Sequence, residues 1–142
     1  ALAYVNRNYK PKKMIDMATL TGACIVALGN DYTGLLSNDD HLTKTIAAAA
    51  SVTDDRVWPL PLYPELKGRM DSLIADLKNI SNVKGAGTIT GAYFLQQFVD
   101  GTPWAHLDIA GTAFVEKGTR MYFGHGATGA GVRLLTEVLQ RM

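Results

Sequence analysis

The chain is poor in the features that mark several common classes of protein. One cysteine, Cys24, among 142 residues cannot form an internal disulfide, which argues against a secreted cross-linked scaffold and for a reducing, cytoplasmic setting. There is no run of about 18 or more apolar residues to span a bilayer. Residues 1–10 also lack the basic, then apolar, then small-residue order of a signal peptide, so no membrane partner is expected. The 14 Lys and Arg against 13 Asp and Glu leave a net charge of +1; they form no basic block, and nucleic acid is not an expected partner. The Gly-x-Ser-x-Gly elbow of serine hydrolases is missing. The missing initiator Met and the helix-like opening suggest that Ala1 is an internal cut.

What is present suits one globular domain. Apolar residues make up 47% and charged residues 19% of the chain, enough apolar side chain to own a core and too little charge for a disordered segment. Leu2, Val5 and Tyr9 recur at helical spacing until Pro11, giving a helix over 1–9. Residues 14–19 are a short, mostly apolar run that reads as a buried strand, ending at Thr21-Gly22-Ala23. A further apolar stretch, 25–28, meets a Gly-Asn-Asp turn, and 32–37 has the composition of a strand. Ser37, Asn38, Asp39 and Asp40 offer N-caps for a helix over about 40–52.

Prolines make 57–62 an extended crossing segment, neither helix nor central strand. A short helix is expected within 63–70 and a loop over 79–87. A helix follows over 88–99, closed by Asp100-Gly101. Residues 104–109 are the clearest strand in the sequence. A Gly-rich stretch, 118–131, leads to a last helix carrying Val132, Leu135, Val138 and Leu139. Strands alternating with helices predict an α/β domain spanning 1–142, with a largely parallel mixed sheet flanked by helices.

In such sheets functional loops follow the carboxyl ends of strands. Two stretches fit: residues 18–23 after the first strand, and residues 106–113, where the clearest strand runs out into Ala and Gly. For each, tight packing of sheet on helix is the plainer explanation. His106 and Asp108 share a strand face, but one His and one Asp are too few for a zinc-type site, and hydrogen-bonded structural roles are expected. Asp16, a lone carboxylate in an apolar run, is expected to cap or pair. The glycines at 85, 87 and 91 open a helix as a phosphate loop would, yet the Walker and dinucleotide spacings are absent. Cys24 has no activating base nearby in sequence and reads as a buried, inert thiol.

Four segments then stand out together: residues 16–23 (Asp-Met-Ala-Thr-Leu-Thr-Gly-Ala), 55–62 (Asp-Arg-Val-Trp-Pro-Leu-Pro-Leu), 75–79 (Ala-Asp-Leu-Lys-Asn) and 104–111 (Trp-Ala-His-Leu-Asp-Ile-Ala-Gly). In this order and spacing the chain resembles the leucyl aminopeptidases of the cytosol aminopeptidase family, over essentially its whole length, as the C-terminal part of their catalytic domain. The resemblance implies a hydrolase that removes N-terminal residues from peptides. Two divalent ions, manganese or zinc with magnesium as a third choice, would activate a bridging water in the parent protein. The family's lysine and carboxylate ligands, two of them in an Asn-Thr-Asp-Ala-Glu-Gly-Arg-Leu motif, would lie upstream of Ala1. No catalytic residue, no metal ligand and no ion bound by this chain are therefore expected.

What the resemblance assigns here is a substrate-positioning wall. Thr19, Leu20, Thr21 and Gly22 match a loop whose main chain hydrogen-bonds the peptide, Leu20 by its carbonyl and Gly22 by its N–H. Thr19, Ala110 and Ala113 match the pocket for the N-terminal side chain, and Ile80 a position beside the next residue. Ala113 stands where some relatives carry Met, which widens that pocket and weakens any preference for leucine. The resemblance also implies a homohexamer, and the alternative function is a non-catalytic folding or oligomerisation module. Some relatives bind DNA as well, which the near-neutral charge does not support here.

Overall fold

A computed structural model describes residues 1–81, 83–116 and 123–142. In chain order the elements are α1 (Leu2–Tyr9), β1 (Met14–Ala18), α2 (Gly22–Leu28), β2 (Thr33–Ser37), α3 (Asp40–Thr53) and β3 (Val57–Pro59). A 3-10 turn (Pro64–Leu66) then runs into α4 (Lys67–Met70), followed by α5 (Gly87–Gln96), β4 (Trp104–Asp108), β5 (Phe114–Val115), β6 (Gly126–Ala127) and α6 (Val132–Arg141). The main sheet has the order β1-β4-β2-β3. β1 lies parallel to β4 and β2 parallel to β3, while β2 and β4 are antiparallel. This is the largely parallel mixed α/β sheet expected from the alternation of strands and helices.

Residues alternate between the faces of β4, and the two faces meet different helices. Ala105 and Leu107, with Leu35, pack against Leu42, Ile46, Ala49 and Ala50 of α3 and Leu134 and Val138 of α6. Trp104, with Met14 and Leu36, packs against Ala92 of α5 and Val99, with Leu2 of α1 alongside. The helix α3 forms because Leu42, Ile46, Ala49 and Ala50 share one stripe, and because the Asp39 side chain accepts the Leu42 N–H at 2.6 Å as N-cap. It is fastened to α6 at one end. Arg133 pairs with the Asp55 carboxylate and donates to the Thr53 carbonyl, and Asp55 also accepts the Leu134 N–H. Burying Leu134 and Val138 stabilises this layer by roughly 1.5–3 kcal/mol for each side chain.

Several expectations shift. The apolar run 25–28 belongs to helix α2, which opens at Gly22 under a Thr21 cap. The 57–62 segment does pair, through Val57–Pro59, but as the outermost strand, where the missing proline donor does no harm. The helix expected to run to 99 ends at Gln96 and passes through turns to Gly101 with φ 75. A two-stranded ladder, β5 with β6, was not foreseen, and only β6 falls within the Gly-rich stretch 118–131. Residues 118–122 of that stretch, and Asn82 of the 79–87 loop, are outside the described residues.

Gly111 closes β4 against the turn after α2, where an added Cβ would collide with the backbone carbonyl of Gly29. Gly68, inside α4, has nothing within 4 Å of such a Cβ. Gly111→Ala is expected to lower the urea-unfolding free energy by about 1–3 kcal/mol, as overpacking against fixed atoms does. Gly68→Ala should be neutral or raise it by about 0.5–1 kcal/mol through helix propensity. Equal effects of the two substitutions would contradict the packing described.

Candidate functional site

β1 and β4 run side by side in the same direction, with Ala18 opposite Asp108. Their carboxyl ends therefore coincide, and the loops that leave them, 19–22 and 109–113, emerge at one place. The ladder continues one residue further, since the Ile109 N–H donates to the Ala18 carbonyl at 2.9 Å. The topology alone thus brings together two stretches separated by some ninety positions.

Asp108 joins them. Its side chain is completely buried. One carboxylate oxygen accepts the N–H of Leu20 at 3.1 Å and of Ala110 at 3.2 Å, with the Thr21 N–H at 3.5 Å. The other accepts the Thr21 hydroxyl at 2.7 Å. That hydroxyl also accepts the Cys24 N–H as the cap of α2 and lies 3.0 Å from the Thr88 hydroxyl at the start of α5. With its own proton given to Asp108, Thr21 must accept from Thr88, so the chain of donors runs from α5 through the loop to β4.

A second carboxylate ties the same strands lower down. Asp16 of β1 accepts the Trp104 indole N–H at 2.6 Å and sits 2.7 Å from His106 Nδ1. With both Asp16 oxygens accepting, Nδ1 carries the ring proton. The His106 Nε2 is buried without a hydrogen-bond partner among the described residues. Asp16, His106 and Asp108 thus have the hydrogen-bonded roles expected of them. No group of three or more His, Cys, Asp or Glu side chains comes together among the described residues in a way that suits a metal ion.

The seven residues expected to meet substrate divide into groups. Thr19, Leu20 and Gly22 are exposed and Thr21 partly so. Among the described residues neither the Leu20 carbonyl nor the Gly22 N–H carries a hydrogen bond. Ala110 shares the Asp108 oxygen with Leu20, and the Ala113 N–H donates to the Ile109 carbonyl one turn further on. Leu20, Thr21 and Ile80 line a groove of about 850 Å³ between α2, α5 and the 79–81 loop, floored by Ala23, Ala27 and Phe94. Thr19, Ala110 and Ala113 do not border that groove.

Two features escaped the sequence reading. Gly87 and Gly91, considered only as a phosphate loop, are contact points: a Cβ on Gly87 would meet Ala23 at 2.8 Å, and one on Gly91 would meet Thr21 at 3.1 Å and Leu20 at 3.2 Å. They let α5 lie against α2 and the loop. Thr88 carried no motif and is a buried link in the hydroxyl chain; threonine at a helix start was its one visible signal.

The family can now be placed. Residues 1–136 match the model of the cytosol aminopeptidase family, catalytic domain. The chain belongs to the cytosol aminopeptidase family. It is similar to proteins named probable cytosol aminopeptidase from Geotalea uraniireducens (53% identical over 137 residues, 96% of this chain) and Geobacter sulfurreducens (54% over 140 residues, 99% of this chain). One from Rhodopseudomonas palustris is 51% identical over 138 residues, 97% of this chain. The chain spans only 27 to 28% of the length of these curated relatives. No described helix is long and apolar enough to cross a membrane.

Cys24 lies against Asp108. It is fully buried, its Sγ is 3.6 Å from the Asp108 carbonyl oxygen and a Cβ on Gly34 would press on it at 3.1 Å. Burial first, and then the nearby Asp108 charge, push the thiol above its ordinary value of 9.0. The folded chain therefore holds the proton at pH values where the unfolded chain releases it. The contribution of Cys24 to stability is full below pH 9 and is lost as pH rises beyond it. The unfolding free energy of wild type minus that of Cys24→Ala should be constant below pH 9 and fall as pH rises beyond it; a pH-independent difference would contradict this environment for Cys24.

Proposed function

We propose that this chain is the substrate-positioning part of a metal-dependent aminopeptidase that removes N-terminal residues, leucine among them, from peptides. The observation that supports it best is a pair of main-chain groups without a hydrogen bond among the described residues, the Leu20 carbonyl and the Gly22 N–H, where the loop that Asp108 holds runs into α2. An extended peptide presents one N–H and one C=O per residue and can bind such a pair as an added strand would. Thr19, Ala110 and Ala113 would border the N-terminal side chain. Ile80, across the groove from Leu20, would meet the residue after it, and Thr21 would hold the loop.

The described residues do not form a donor set for two divalent ions. In the proposed protein, manganese, zinc or magnesium is held by residues outside this sequence, and the location is cytoplasmic. The hexamer belongs to the same proposal. Exposed Val26, Leu73 and Ile74 favour coverage of this side by further chain or by other subunits, which is also what a folding or assembly module would require.

The longer protein that contains this chain together with the upstream Asp-Ala-Glu-Gly-Arg run, supplied with manganese, is expected to cleave a leucyl chromogenic substrate. The isolated 142-residue chain is not. Ala113→Met in the longer protein should reduce kcat/KM for bulky N-terminal residues about 10-fold relative to alanine, as pocket volume differences of this size do. A folded, metal-loaded longer protein without turnover would remove the enzymatic reading and leave the assembly role.

A further inference from the structure

We propose that Asp108 is a positioning residue for peptide cleavage: its buried carboxylate sets the orientation of the Leu20 carbonyl and the Gly22 N–H and thereby controls how the peptide main chain is held. This deepens the function proposed above and rests on it. The geometry is specific. Asp108 accepts the N–H of Leu20, immediately before the exposed Leu20 carbonyl along the chain, and the hydroxyl of Thr21, the residue between the two binding groups. It also accepts the Ala110 N–H, so one side chain fixes the peptide-binding loop relative to the loop of the other strand. The described ion pairs include none that holds this carboxylate from another direction. Among the described residues, its donors from Leu20, Thr21 and Ala110 all belong to the two loops.

An amide at this position keeps the shape and replaces one acceptor by a donor. In Asp108→Asn the amide nitrogen would face either the main-chain N–H groups or the Thr21 hydroxyl, which already accepts from Cys24 and Thr88. The loop must then turn, and with it the two groups aimed at the peptide. A small displacement of a positioning group is enough to be seen in rate, because reacting atoms tolerate little misplacement.

The test uses the longer active protein and compares kcat/KM for a leucyl dipeptide amide with that for leucyl p-nitroanilide, which has no main chain beyond the scissile amide. Loss of folded enzyme lowers both by the same factor. Displacement of the loop lowers the ratio. Asp108→Asn should reduce the peptide-to-anilide ratio about 10-fold, the scale of one main-chain hydrogen bond. Thr21→Val should reduce it in the same direction, while Thr21→Ser, which retains the hydroxyl, should stay within about 2-fold of wild type. An unchanged ratio in folded Asp108→Asn enzyme would overturn the assignment. If that variant does not fold, equal ratios for Thr21→Val and Thr21→Ser would overturn it. Wild-type enzyme that cleaves neither substrate would refute the underlying function, and this assignment with it, by a different observation.

Discussion

A buried carboxylate surrounded by donors from two loops is the constraint on which the rest of this structure depends. Asp108 has no exposure to water, and leaving such a buried acceptor without its donors costs about 1–3 kcal/mol. The Leu20, Thr21 and Ala110 amides cannot move away from it without incurring that cost. The loops after β1 and β4 are consequently held by the sheet that carries them, although loops at strand ends are ordinarily the mobile part of such a fold. Rigid main chain near the site and open main-chain groups facing outward come from the same interaction.

Reaching that arrangement requires close packing around it. Gly87 and Gly91 admit α5 to within contact of Ala23, Thr21 and Leu20, and Gly34 leaves room for the Cys24 sulfur. The opposite face of the sheet is a conventional aliphatic layer, in which α3 and α6 cover Leu35, Ala105 and Leu107. The two faces thus divide the work. One supplies apolar burial, and the other carries Asp16, His106 and Asp108, whose hydrogen bonds align β1 with β4.

Much of this was legible from residue order. The strand at 104–109 and the capped helix from Asp40 follow from periodicity and capping, and both are present within a residue or two. The family resemblance named the two loops that the parallel pairing brings together. Other features were hidden for identifiable reasons. Residues 25–28 are too short and too uniformly apolar for periodicity to separate strand from helix. The Gly87 and Gly91 contacts depend on how close two helices come, which no local pattern states. Asp108 was recognisable as a hydrogen-bonded carboxylate, but its partners on the first loop, Leu20 and Thr21, lie 88 and 87 positions away in sequence. Its hold on both loops emerges only once β1 and β4 are paired.

Amide hydrogen exchange at Leu20 and Ala110 tests this account most directly, because both N–H groups lie in loops and both depend on one oxygen. The account predicts slow exchange at both in the native 142-residue chain, and joint acceleration in Asp108→Ala while Ile46 in α3 remains protected. Exchange at Leu20 and Ala110 as fast as in an unstructured loop, in the unaltered chain, would contradict it.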